Sequence, residues 1–279
     1  MQAQSLVRGS SLEVGARDIP ALRAVAARIA PGTTISIPYL PREDDAARLA
    51  AAAAVHALGF EPMPHLSARR IGSLAALQDF VQRAAGEAGV TRCFVIAGDP
   101  DTPLGPFTDS MALIETGLLE GAGLQQVGVG GHPDGHPVMD AAQRWAALQQ
   151  KCDSITQRGM APLIITQFAF DAEAVLAWVD ALRARGIGHP VRIGVPGPAS
   201  IALLARYAAL CGVSASAAML ARYGVSLGRL LGSAGPDLFV DRMAAGLGDA
   251  QGAVGLHFFP FGGIARALEW RDRYCAAQR

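Results

Sequence analysis

Six polar residues stand where apolar runs of this chain end, and their side-chain types could carry chemistry. Glu13 follows Ser11-Leu12, His65 lies between Pro64 and Leu66, and Asp99 sits in Gly98-Asp99-Pro100. His132 and His136 belong to His132-Pro133-Asp134-Gly135-His136-Pro137, and Gln167 closes Ile164-Ile165-Thr166-Gln167. A polar group that ends an apolar strand needs a partner if it is buried, which makes each a better candidate than the same residue on a helix surface. Each also has an ordinary reading. Glu13 reads equally as a loop carboxylate, Asp99 as a turn initiator and His65 as a satisfied core imidazole. Gln167 is sharper, because a wholly apolar run delivers its amide. The two histidines at i and i+4 have metal-ligand spacing, but two prolines forbid the helix that this spacing uses, and no metal site is assigned.

Positioning such residues requires alternating strands and helices. Candidate strands are Ser11–Val14, Thr33–Pro38, Glu61–Leu66, Thr91–Ala97, Leu124–Val129, Pro162–Gln167, Val191–Val195 and Gly252–Phe259. Helical patterns fill the intervals, among them Ile19–Ile29, Asp44–Leu58, Ser73–Ala88 and Ala172–Arg185. In the last, Val175, Trp178, Val179 and Leu182 recur at i, i+3, i+4 and i+7 and form one apolar face. Eight such units predict a parallel (β/α)8 barrel, a single domain over residues 1–279, with extra helices between strands seven and eight in Cys211–Ala250. A doubly wound sheet would want GxGxxG after an early strand. The best glycine cluster, Gly128-Val129-Gly130-Gly131, comes late and runs into His132-Pro133. In a barrel, reactive residues gather on the loops at the strands' C-terminal ends, where the six polar residues lie.

Composition narrows the partners. The chain has 279 residues, net charge +0 and 51% hydrophobic residues, which suits a folded domain and gives nucleic acid no cationic surplus. No run approaches the roughly 20 apolar residues of a membrane span. Met1 to Val14 holds one Arg and no hydrophobic block, so no signal peptide is expected. The cysteines, at 93, 152, 211 and 275, are too scattered for a CxxC site. They suit a reducing, cytoplasmic setting, with Cys93 as core. Scattered apolar helix faces leave room for a homo-oligomer.

Taken in order, the strand-end segments resemble the methylenetetrahydrofolate reductase family. Gly131-His132-Pro133-Asp134-Gly135-His136-Pro137 is similar to its G-Y-P-x-G-H-P loop, with Lys151 near the distance of the family lysine. Ile165-Thr166-Gln167-Phe168-Ala169-Phe170-Asp171 resembles I-T-Q-F-F-F-D, and Pro64-His65-Leu66 matches P-H-L. Ala97-Gly98-Asp99 resembles R-G-D, and His257-Phe258-Phe259 resembles H-F-Y. The matches run from about Ser11 to Trp270.

The resemblance implies a flavoprotein that interconverts 5,10-methylenetetrahydrofolate and 5-methyltetrahydrofolate, with NADH or NADPH as co-substrate. It places FAD against His65, Gly98, Asp99, His136 and Lys151, and the folate pterin on Gln167 and Asp99. It makes Glu13, aligned with the glutamate of F-E-F-F-P-P, the general acid, with Asp99 the second catalytic carboxylate. The bridging methylene carbon accepts hydride poorly until N10 is protonated and an N5 iminium forms. A carboxylic acid of raised pKa supplies that proton, typically worth about 10²–10⁴-fold. A second carboxylate stabilises the iminium charge, and a Gln amide can both donate to and accept from the pterin edge.

The chain departs from the family at several of these places. F-E-F-F-P-P becomes Leu12-Glu13-Val14-Gly15-Ala16-Arg17, and the arginine of R-G-D is Ala97. The strand-two loop reads Ile37-Pro38-Tyr39-Leu40-Pro41, Ile201 stands near a stacking Phe, and the arginine after H-F-Y falls near Gly263. Losing an arginine removes a charge-assisted contact to phosphate or carboxylate. Direct hydride transfer from the nicotinamide without flavin is therefore an alternative. So are the oxidative direction, a non-catalytic folate-binding barrel and a tetrahydrofolate methyltransferase barrel, although the last usually needs a metal or corrinoid partner.

Overall fold

The computed structural model describes residues 3–40, 43–213, 223 and 235–278. Eight parallel strands close into a barrel in chain order. They are β1 Ser11–Glu13, β2 Thr34–Ile37, β3 Glu61–Ser67, β4 Arg92–Ile96, β5 Gln126–Gly131, β6 Ala161–Phe168, β7 Val191–Pro196 and β8 Val254–Phe259. The helices are α1 Ala3–Arg8, α2 Ile19–Val25, α3 Asp45–Ala57, α4 Leu74–Ala88, α5 Ser110–Ile114, α6 Leu118–Gly121, α7 Ala141–Gln157, α8 Ala172–Ala184, α9 Ile201–Leu210, α10 Asp237–Gly246 and α11 Ile264–Ala277. The expected barrel is thus observed. Among the described residues no helix is long and apolar enough to cross a membrane.

Element limits differ from expectation where turn chemistry intervenes. Gly252, expected in the last strand, takes φ +64°, so β8 starts at Val254. The predicted helix over 19–29 stops at Val25 and tightens into a 3-10 turn, Ala26–Arg28. Of the extra helices expected in 211–250, α10 is present, while residues 214–222 and 224–234 lie outside the described residues. The helix starts follow from capping. Asp44, Ser73, Asp109, Asp171 and Ser200 each accept a backbone N–H from the first turn of α3, α4, α5, α8 and α9.

The chain packs as two compact units. The first comprises Glu13–Gly130 and Ala146–Ile164, with β2, β3, β4 and most of β5. In it, His65 to Ser67 of β3 pair in register with Phe94 to Ile96 of β4. Leu49, Val55, Leu77, Phe80 and Val81 are among the buried residues of α3 and α4. The second comprises Met1–Leu12, Gly131–Trp145 and Ile165–Arg279. There β1 pairs with β8 through Ser11↔His257, and β7 runs beside β8 from Val191↔Val254 to Pro196↔Phe259. The predicted face of α8 is buried at Val175, Val179 and Leu182, while Trp178 stacks on Trp145 at 5.7 Å.

Candidate active site

In the first unit Glu13, the last residue of β1, comes together with Ser36 and His65, which lie in the C-terminal halves of β2 and β3. Glu13 is the last residue of β1, between Leu12 and Val14, which are each under 5% exposed. Val14 continues the strand's direction by donating its N–H to Ser36 O at 2.9 Å. The Glu13 carboxyl lies 3.6 Å from His65 Nε2 and keeps a side-chain exposure of 19%. Its surroundings nevertheless desolvate the charged form, and burial raises its pKa to about 8. At neutral pH Glu13 therefore holds its proton.

His65 is buried, and its Nε2 lies 2.7 Å from the hydroxyl of Ser36, itself fully buried on β2. Phe94 meets the imidazole edge-on at 4.8 Å. The His65 carbonyl accepts from Arg48, a guanidinium only 2% exposed that stacks on Tyr39 and Phe80 and pairs with Asp45 at 3.0 Å. Burial lowers the Arg48 pKa, and nearby Asp45, Tyr39 and Glu43 partly offset that shift. Sequence reasoning missed Ser36, Arg48 and Glu43. Ser36 reads as strand filler, and Glu43 and Arg48 read as members of a helix start and a solvated helix face. Glu43 is 7% exposed, and neither carboxylate oxygen has a hydrogen-bond partner among the described residues.

The β4 loop places its residues differently. Gly98 has φ +93°, and a Cβ there would collide with Ser67 Oγ, so the neighbouring strand end demands glycine. Asp99 points outward, 86% exposed, with Oδ2 at 3.4 Å from Arg70. Lys151, on α7, is partly buried, and desolvation lowers its pKa against the opposing pull of Asp109.

In the second unit Gln167 precedes the last residue of β6, and its amide oxygen accepts the Phe168 N–H at 3.1 Å. His132 and His136 meet edge-to-face at 4.9 Å, and His136 Nδ1 accepts the Val138 N–H at 3.3 Å. Between them in sequence, Asp134 is pushed up to about 6 by burial and by Asp171. Ser11 Oγ and His257 Nδ1 are 2.9 Å apart, and burial, then Arg192, lowers the His257 pKa to about 3. That buried pair carried a sequence signal, the polar-apolar alternation of Ser11-Leu12 and the lone histidine in β8, which pointed to no role by itself. Among the described residues no group of three or more His, Cys, Asp or Glu is placed to hold a metal ion.

Residues 28–259 match the methylenetetrahydrofolate reductase family. The chain belongs to this family. Membership makes it a folate-related reductase at the family level. Two solved structures are similar in fold alone. Dihydropteroate synthase from Thermus thermophilus is 15% identical with a TM-score of 0.51, covering 96% of this chain and 95% of its own. Deoxyribose phosphate aldolase from Aeropyrum pernix is 14% identical with a TM-score of 0.50, covering 97% and 92%.

Family membership implies a flavin, and the residues of this chain fit one in part. Lys151 suits a cofactor phosphate, because an anion would relieve the desolvation of its ammonium. His65 presents a buried imidazole at a strand end. Ala97 offers no charge, and the space above Gly98 is filled by Ser67.

Proposed function

We propose that this chain, acting as one catalytic barrel, interconverts 5,10-methylenetetrahydrofolate and 5-methyltetrahydrofolate, with Glu13 as the general acid. The observation that carries this reading is the placement of the Glu13 carboxyl, closing β1 between buried Leu12 and Val14 and 3.6 Å from the His65 imidazole, where burial raises its pKa to about 8. Protonation of N10 by Glu13 lets the methylene C–N10 bond break and leaves an N5 iminium. A hydride then forms the third C–H bond of the methyl group. In the reverse direction the ionised Glu13 takes the N10 proton back as the ring closes. Asp99, exposed on its loop, is assigned to the iminium charge once substrate covers it. Gln167 is assigned to the pterin edge, for which its amide has both donor and acceptor.

FAD is the cofactor we assign, with Lys151, His136, His65, Gly98 and Asp99 as its contacts and NADH or NADPH as co-substrate. When bound it would supply hydride transfer between nicotinamide and folate. We place the activity in a reducing, cytoplasmic setting, consistent with the buried thiols of Cys93, Cys152 and Cys275.

Two measurements test this. Glu13→Gln is expected to lose folate turnover by at least about 100-fold while NAD(P)H oxidation by an artificial acceptor persists. Unchanged folate turnover would remove Glu13 from the mechanism. The absorption spectrum of freshly purified protein, titrated anaerobically with NADH and NADPH, decides the cofactor. A yellow, bleachable protein supports FAD, and a colourless protein that turns over establishes direct transfer from the nicotinamide.

A further inference from the structure

We propose that Ser36 is a positioning residue for the acid: by holding His65 Nε2 it keeps the imidazole from taking the proton of Glu13. The inference rests on the reading of Glu13 as general acid. It concerns a different question, namely why the proton stays on the carboxyl when a basic nitrogen is so near.

His65 Nε2 has one site for one hydrogen bond in the imidazole plane. Two oxygens compete for it, Ser36 Oγ at 2.7 Å and Glu13 Oε2 at 3.6 Å. The nearer has hydrogen-bond length and the farther does not. With the serine hydroxyl donating to Nε2, the imidazole is neutral and its basic lone pair is occupied. The imidazole then offers Glu13 no cation. If the serine is removed, Nε2 turns to the carboxyl, and transfer of one proton gives a carboxylate–imidazolium pair. The O–H bond of Glu13 breaks, an N–H bond forms on His65, and net charge is unchanged.

Among the described residues, the groups recorded against His65 act in the same sense. From β4 comes the ring edge of Phe94, which carries no counter-charge. From α3 comes the Arg48 guanidinium on the His65 carbonyl, a cation that opposes a second positive charge beside it. From β1 comes the Glu13 carboxyl itself. A buried ion pair is retained only when geometry and further hydrogen bonds offset desolvation. With Ser36 in place that pair, at 3.6 Å, has no direct hydrogen bond between its partners; without it, Nε2 can close on the acid.

The test reads the Glu13 proton directly, by infrared difference spectroscopy of the full chain against pH. The wild type is expected to show at pH 7 the carbonyl stretch of a protonated carboxyl that Glu13→Gln removes, with a midpoint near pH 8. Ser36→Ala is expected to lower that midpoint to about 6 and so deplete the protonated acid at pH 7 by about tenfold. The descending limb of kcat against pH should move by the same amount, with KM for the folate unchanged. Ser36→Thr, which keeps a hydroxyl, should restore both. The double variant Ser36→Ala/His65→Gln should also restore the carboxyl band, because no imidazole remains to take the proton. A midpoint unmoved in Ser36→Ala, or a band still missing in the double variant, overturns the role of Ser36 and leaves the acid assignment standing. Absence of the Glu13 band from the wild type overturns the acid assignment and this inference with it. If Ser36→Ala does not fold, as judged by thermal melting, Ser36→Cys, whose thiol is only a weak donor, is read in its place: a lowered midpoint supports the role of Ser36 and an unmoved one overturns it.

Discussion

Removing the buried carboxyl should make the protein more stable, and only above the pH where an exposed glutamate ionises. In the unfolded chain Glu13 titrates near 4.5, whereas in the folded chain burial holds its pKa at about 8. Between those values the unfolded state releases a proton that the folded state keeps, so stability falls as pH rises through this window. The contribution is fully present below 4.5 and lost by the time pH passes 8. Each pH unit corresponds to about 1.4 kcal/mol, so the full penalty at pH 7 would be roughly 3 kcal/mol. Glu13→Gln has nearly the same shape and no charge to desolvate. The assay is urea unfolding of both proteins at pH 5 and pH 8, reading the difference of differences so that every other titrating group cancels. The variant is expected to gain about 3–4 kcal/mol over the wild type between the two pH values. Equal stability differences at both pH values would show that Glu13 ionises freely in the fold, and the case for it as an acid would lose its physical basis.

Three further outcomes follow from the same geometry. Gly98→Ala should cost about 2–4 kcal/mol by thermal unfolding, because its Cβ would meet Ser67 Oγ and φ is +93°; Ser67→Ala should recover the steric share but not the backbone share. Arg48→Ala should cost about 3–5 kcal/mol, since it strips the His65 carbonyl of its buried donor and leaves a cavity between Tyr39 and Phe80. His257, whose pKa falls from 6.5 to about 3, contributes stability that is present above 6.5 and lost as pH drops toward 3; its ring proton resonances should not move between pH 8 and 5, and titration near 6.5 would show that burial at 1% exposure does not hold it neutral.

The barrel was legible in the sequence because each unit announces itself twice. A short β-type run ends in Gly, Pro or Asp, and a capped amphipathic helix follows. Asp44, Ser73 and Asp171 perform the capping their types suggest. What the pattern could not give is which way a strand-end residue faces. Glu13 and His65 were both visible as polar residues closing apolar runs, and they meet at 3.6 Å. Asp99 shared the same signature and instead turns outward to Arg70. The difference is backbone: Gly98 at positive φ redirects the chain in the residue before Asp99, and no periodicity reports a single dihedral.

Ser36 and Arg48 escaped notice for a related reason. A serine in Thr34-Ile35-Ser36-Ile37 satisfies strand alternation, and an arginine in Ala46-Ala47-Arg48-Leu49 satisfies a helix, so neither breaks a local rule. Their importance is set by partners 29 and 17 residues away. Burial separates the two cases from surface look-alikes: Ser36 is 0% exposed and Arg48 is 2% exposed. A buried guanidinium on the His65 carbonyl fixes the strand end through its backbone, while the buried hydroxyl fixes the imidazole. The acid of β1, a strand of only three residues, has little backbone of its own to locate it. Its proton is then governed by neighbours on β2 and β3. Hence Arg48→Ala should shift the Glu13 carboxyl band as well as stability, whereas a destabilising change elsewhere in α3, such as Val55→Ala, should lower the melting temperature and leave the band in place.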